Sequence, residues 1–106
     1  MTKPIENTIS VRNFGKCFSK DRRKFKTERG VGFEGDLLLV FLPARREYEV
    51  WWRGPHAKQE VLKGGRITTY VNRKMRSYLI GRIRSRNAAT AALNEYFFSY
   101  GAKPSE

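Results

Sequence analysis

Cationic side chains are concentrated in two stretches of this sequence, and the chemistry they suit is the binding of phosphate oxygens. The 106 residues include 22 Lys and Arg against 10 Asp and Glu, which gives a formal net charge of +12. The stretch 65–86 holds seven cations and no acid, and a second cluster spans 20–29. Guanidinium groups donate paired hydrogen bonds to phosphate oxygens, so both clusters predict a polyanionic partner. The predicted phosphate-binding residues are Lys20, Arg22, Arg23, Lys24, Lys26, Arg66, Arg73, Lys74, Arg76, Arg82, Arg84 and Arg86.

A short basic run is more often a solvated surface than a site. Three features favour binding here: the charge is confined to two segments, arginine outnumbers lysine after residue 65, and aromatic side chains lie among the cations. Tyr70 and Tyr78 could stack on unpaired bases. Trp51 shares its side of the strand with acidic and basic residues, whereas Trp52 shares its side with Tyr48 and Val50. We therefore expect Trp51 to be the more exposed of the two, as a stacking platform or partner anchor, unless a helix covers it.

Residues that commonly carry catalysis are few in this chain. Cys17 is the only cysteine and His56 the only histidine, so a closed metal site or a nucleophile–histidine pair has little to draw on. Asp36, Glu47 and Glu49 invite comparison with metal nucleases, but no lysine follows them on the same strand. The glycines do not match a phosphate-binding loop. The sequence therefore predicts a protein that is not an enzyme and has no cofactor and no metal.

The most apolar part of the chain predicts two antiparallel strands at the centre of a sheet. Residues 37–42 are six apolar residues in a row, as in a strand buried on both faces. Residues 47–53 alternate between apolar and charged side chains. The segment 43–46 between them starts with proline and has the length of a hairpin turn.

The flanking segments predict further strands. Residues 8–14 and 66–71 are rich in β-branched side chains, and 23–33 suggests an irregular strand interrupted by glycines. Residues 56–63 favour a short helix after Pro55. The alternative is a strand that Gly64 and Gly65 join to the next strand as a hairpin.

The C-terminal third predicts two helices. Asn72 could cap the first, in which Met75, Leu79 and Ile83 recur every four residues. Ser85 or Asn87 could cap the second, whose apolar stripe runs over 89–100 and ends at Gly101. The predicted fold is therefore α+β: an antiparallel sheet of four to six strands followed by two C-terminal helices that pack on it. It forms one domain over 1–106, with loose tails at 1–7 and 102–106.

Size, charge and composition favour one function over one alternative. No window approaches the ~20 apolar residues of a membrane span, and the N-terminus lacks the apolar core of a signal peptide, so we expect a cytoplasmic protein with no membrane partner. The first hypothesis is a small basic protein with a regulatory role that binds DNA or RNA mainly through the phosphate backbone. The alternative is an interaction module or inhibitor that docks a cationic and aromatic face on an acidic protein, such as a nucleic-acid-processing enzyme.

Overall fold

The described residues form a six-stranded antiparallel sheet with one α-helix packed against it. The computed structural model describes residues 6–7 and 17–105. The strand order is β1-β5-β4-β3-β2-β6. The elements are β1 (Glu6–Asn7), β2 (Cys17–Thr27), β3 (Gly32–Leu42), β4 (Glu47–Val61), β5 (Ile67–Ile83), α1 (Ala89–Phe98) and β6 (Ala102–Pro104). The antiparallel sheet with C-terminal helical structure is thus confirmed in outline, while the strand predicted over 8–14 lies outside the described residues.

The central hairpin of β3 and β4 forms as the sequence predicts. A single 3-10 turn, Pro43–Arg45, joins the strands, and the Arg46 amide donates to the Pro43 carbonyl at 3.2 Å. Leu38 and Leu39 point to opposite faces of the sheet, and both are buried. This strand therefore has an apolar environment on each side, which explains its uninterrupted apolar run.

The two faces of the sheet are buried to different extents. On the face that carries α1, here called the helix face, Trp52 packs edge-on against Phe25, Phe33 and Phe97. On the opposite face, here called the far face, Leu38, Val40 and Trp51 form a smaller buried cluster. Most of the apolar packing therefore lies between the sheet and the helix.

Gly35 provides the space that the Trp52 ring occupies in this core. A Cβ added at Gly35 would lie 2.6 Å from the Arg53 carbonyl oxygen and 2.6 Å from Cζ2 of Trp52. Only glycine lets the backbone of β3 approach its neighbour this closely, so the position is fixed by space rather than by an unusual φ.

The first predicted helix, over 72–83, is wrong, because this segment is the second half of β5. A repeat of four residues is also a multiple of two, so this spacing does not exclude a strand. In the strand, Leu79 packs with the far-face cluster and Ile83 with the helix-face core, because the pairing with β4 shifts between them. Cross-strand neighbours decide the outcome, since Leu79 lies opposite Trp51. Asn72 does accept a hydrogen bond two residues on, from the Lys74 amide at 3.0 Å, but within an irregular strand rather than at a helix start.

The second predicted helix is confirmed as α1. It follows a 3-10 turn, Arg86–Ala88, and the Ser85 hydroxyl caps that turn by accepting from the Asn87 amide at 3.3 Å. Ala89, Leu93 and Phe97 of its stripe are buried against the sheet.

Several other boundaries differ from the sequence-based expectations. The preferred helix over 56–63 is wrong and the alternative hairpin through Gly64 and Gly65 is right, because β4 continues to Val61 and pairs with β5. Residues 23–33 form the end of β2, a turn and the start of β3 rather than one irregular strand. Two short strands lie within the segments predicted as loose tails, since β1 pairs with β5 and β6 pairs with β2.

Candidate nucleic-acid interface

Strand β2 presents a row of cations on the far face. Lys20, Arg22, Lys24 and Lys26 occupy alternate positions, so their side chains leave the same side of the strand about 7 Å apart. The register places Lys20 opposite Leu38, which belongs to the far-face cluster. The first sequence cluster is therefore a linear array rather than a scattered set.

Two arginines of this cluster are held by the protein itself. Arg22 donates to Asp36 Oδ1 and Glu34 Oε1, each at 3.3 Å. These hydrogen bonds raise the pKa of its guanidinium, and the bond to Asp36 makes the largest contribution. Arg23 points to the helix face, where its Nη2 donates to the Thr90 hydroxyl of α1 at 3.3 Å. The structure thus gives both arginines a role in joining neighbouring elements.

Among residues 19–105, no carboxylate pairs with the neighbouring lysines. Lys26 lies directly opposite Lys103 of β6, and Lys24 lies two residues away on the same side. No carboxylate of residues 19–105 lies within 4.0 Å of these three ammonium groups. Like charges directly opposite each other destabilise a sheet, so an anion bound between them would relieve the repulsion.

The second cluster reaches this lysine group through an irregularity in β5. Gly54 pairs with Arg76 and His56 pairs with Asn72, so residues 73–75 of β5 all lie opposite Pro55. This extra length lets Arg73 Nη2 donate to the Gly32 carbonyl at 3.1 Å, beyond the point where β3 stops pairing with β4.

A shallow pocket of about 390 Å³ lies at this point, and Arg73 and Lys24 both line it. One carboxylate, that of Glu34, also lines the pocket and is already paired with Arg22. We call Lys24, Lys26, Arg73 and Lys103 the basic junction. It is where the two clusters of the sequence meet.

The rest of the second cluster is spread over the length of the molecule. Arg82 pairs with Glu49 at 3.3 Å on the far face, and Arg76 is half-buried opposite Gly54. Arg66 lies in the loop between β4 and β5. Three exposed cations complete the set: Lys74 beside Arg73, Arg84 after β5, and Arg86 in the turn before α1. The structure therefore does not bring all seven cations of residues 65–86 together.

Two of the three aromatic residues predicted to be exposed are buried. Trp51 is 5% exposed and Tyr78 is 2% exposed, so the expectation of surface stacking is wrong for both. The charged neighbours of Trp51 along β4 suggested a polar surface. Across the sheet, however, Trp51 lies between Leu38 and Leu79, which the alternation within one strand cannot show. Tyr70 is 45% exposed, and its outward position agrees with the expectation.

The hairpin of β4 and β5 extends past the rest of the sheet. Pairing of β3 with β4 ends at Asp36 and Arg53, whereas β4 and β5 continue to pair as far as Val61 and Ile67. We call residues 56–72 the arm. The molecule is accordingly elongated, with extents of 48 × 27 × 22 Å.

The base of the arm is anchored by the only histidine. The His56 ring contacts the rings of Tyr78, Phe97 and Tyr100, and its Nε2 lies 2.6 Å from the Tyr96 hydroxyl. Burial raises the pKa of Tyr96, with smaller contributions from Tyr100 and Tyr78, so this hydroxyl stays protonated. His56 thus packs the arm against α1.

Sequence reasoning missed two features of this region. Lys103 was assigned to a loose tail, and nothing local indicates that it pairs with β2. The second missed feature is the exposed apolar pair Val61 and Ile67. A hairpin turn at Gly64 and Gly65 places these two residues opposite each other, so the Gly-Gly turn signal was sufficient to predict the pair.

Comparison with known proteins returns no match to this chain, either among protein-family models or among curated proteins and solved structures. Within the described residues, no group of three or more His, Cys, Asp or Glu side chains is placed to hold a metal ion. In the same part of the chain, no helix has the length and apolar character needed to cross a membrane.

Proposed function

We propose that this protein binds nucleic acid through phosphate contacts centred on the basic junction. The observation that carries the proposal is the Lys26–Lys103 cross-strand pair, two like charges held opposite each other with no described carboxylate in reach. A structure with a net charge of +12 repels itself, and a polyanion offsets that repulsion.

The arrangement of cations at the junction suits contacts with the phosphate backbone of a nucleic acid rather than with the edges of its bases. Lys24 and Lys26 follow one strand at a regular spacing, and Arg73 approaches from the other side of the pocket. Ammonium and guanidinium groups in such an array neutralise successive phosphates and carry little sequence information. We therefore expect binding with modest sequence preference.

Salt dependence gives the proposal a quantitative form. Neutralising each duplex phosphate contributes a slope of about −0.9 to log K against log salt, so four contacts at the junction contribute about −3.6. Fluorescence anisotropy with labelled random duplex DNA, duplex RNA and single strands, over a series of salt concentrations, measures this slope.

A matched pair of variants locates the site. Lys26→Gln with Lys103→Gln removes two charges at the junction and should reduce the slope by about 2. Arg45→Gln with Arg46→Gln removes two charges from the turn at the other end of β3 and should leave the slope nearly unchanged. Equal effects of the two pairs would mean that general charge, and not the junction, attracts the ligand.

A wild-type protein that binds none of these nucleic acids at low salt would overturn the proposal. Stoichiometric binding of an acidic protein by the same face, competed by neither DNA nor RNA, would instead support the interaction-module hypothesis.

A further inference from the structure

The far end of the arm carries an exposed apolar pair. Val61 is 70% exposed and Ile67 is 65% exposed, and the two residues lie directly opposite each other as the last pair before the loop. Their side chains therefore project together from one face of a two-stranded ribbon. Such a pair gains nothing from burial within this chain.

The surroundings of the pair are cationic and open. Lys63 and Arg66 flank it in the loop, and from Lys58 to Arg76 the chain holds six cations and one acid. Gly64 and Gly65 turn the chain with φ values of +92° and +84°, and a Cβ added at either would meet nothing within 4 Å. The loop therefore presents a narrow, unobstructed tip.

We propose that the arm enters the minor groove of duplex DNA and that the Val61–Ile67 pair inserts at a base step and bends the duplex. The proposal rests on the proposed nucleic-acid binding and adds a ligand class and a role for the arm. Apolar side chains at the end of a basic element are the means by which minor-groove proteins unstack a base step, with kinks of roughly 20–90°.

Charge complementarity favours DNA over the other occupants of an apolar tip. A second copy of this chain would bring another +12 to the contact, which like-charge repulsion opposes. A-form RNA has a wide, shallow minor groove, so an insertion there lacks the walls that the cations flanking the pair would contact. In B-form DNA, phosphates line both sides of a narrow groove, where Lys63 and Arg66 can pair with them.

Only the end of the arm projects beyond the body of the protein. Its base is fixed by the buried His56 and Ala57, and Gly101 packs against the next pair on this side, Gln59 and Thr69. The free strand beyond that pair extends by roughly 7 Å to Val61, a distance close to the depth of about 7.5 Å of the minor groove. Insertion would thus be made by a ribbon whose root is rigid. The pair lies on the side of the ribbon that faces α1, whereas the lysines of the basic junction lie on the far face, so Lys63 and Arg66 would make the phosphate contacts beside the inserted pair.

The experiment separates bending from binding. A duplex labelled at both ends reports its end-to-end distance by energy transfer, and anisotropy reports affinity on the same duplex. The test variant is Val61→Thr with Ile67→Thr, which keeps both side chains β-branched. The control is Phe98→Thr, since Phe98 is an equally exposed apolar residue, at 72%, on α1.

We expect wild type and the Phe98 variant to shorten the end-to-end distance, and the double variant to bind within about threefold of wild type while losing most of that change.

Bending by the double variant equal to that of wild type would overturn the insertion, and so would wild-type binding with no change in distance. Binding to RNA or single strands alone would also overturn it while leaving the proposed function intact. No binding to any nucleic acid would overturn both. Loss of an acidic protein partner in the double variant, with bending unchanged, would assign the tip to that partner instead.

Discussion

The base and the tip of the β4–β5 hairpin differ sharply although the same two strands form both. At the base, Trp52 and Tyr78 are opposite each other and buried beneath α1. At the tip, Val61 and Ile67 are opposite each other with most of their surface exposed. Both pairs are apolar and both lie directly opposite each other across the hairpin, so strand pairing alone does not explain why one pair is buried and the other exposed. The base stabilises the fold, whereas for the tip we propose a ligand outside the chain.

The largest expected effect is at the base. Trp52→Ala removes the ring that packs against three phenylalanines and the indole N–H that donates to the Pro55 carbonyl at 2.7 Å. We expect the free energy of unfolding, measured by urea denaturation, to fall by about 3–5 kcal/mol. A loss below 1 kcal/mol would show that the base does not hold the fold.

A second substitution tests the close approach of Gly35 to the Trp52 ring and to the neighbouring strand. Gly35→Ala places a methyl group against the Arg53 carbonyl and the Trp52 ring, and no flexible side chain can move aside. We expect a loss of about 1–3 kcal/mol in the same measurement. Gly32→Ala is the control, because its nearest neighbour would be 3.8 Å away. A similar loss in both variants would contradict crowding as the cause, because Gly32→Ala reduces the entropy of the unfolded chain and should not destabilise.

The contact between the arm and α1 gives a smaller effect. Tyr96→Phe removes the hydroxyl hydrogen-bonded to His56 Nε2 and should cost about 1–3 kcal/mol. The folded-state pKa of Tyr96 is raised, so its contribution is complete below the unfolded pKa of about 10 and is lost as pH rises above that value. Stability of the variant, measured between pH 8 and pH 11 or so, should therefore fall less steeply than that of wild type. Parallel curves would contradict this role of the hydroxyl.

The smallest expected effect on stability is at the tip. Val61→Thr with Ile67→Thr changes two exposed side chains and keeps the β-branched shape, so the free energy of unfolding should stay within about 0.5 kcal/mol of wild type. A loss as large as that of Tyr96→Phe would mean that the pair stabilises the hairpin itself, and the contrast between base and tip would disappear.

Residues within one strand reveal their own alternation but not their neighbours across the sheet. The β3–β4 hairpin was predictable because its apolar run, proline turn and alternation agree at every level. The helix assigned to 72–83 failed because a repeat of four fits both periods, and only the pairing of Leu79 with Trp51 separates them.

The same limit applies to the candidate site. The cations of β2 were identified from composition, yet their partners Glu34 and Asp36 depend on the register with β3. The contribution of Lys103 depends on a strand of three residues, and that of Arg73 depends on the irregular pairing opposite Pro55. Long-range pairing, which leaves no local trace, is what turns two basic stretches into one junction.

Amide chemical shifts of the isotope-labelled protein, titrated with a short DNA duplex, test the location of the interface most directly. We expect the perturbed amides to cluster at Lys24, Lys26, Arg73 and Lys103 and along the tip from Val61 to Ile67. Perturbations centred on the outer side of α1 around Phe98, or none at saturating duplex, would contradict it.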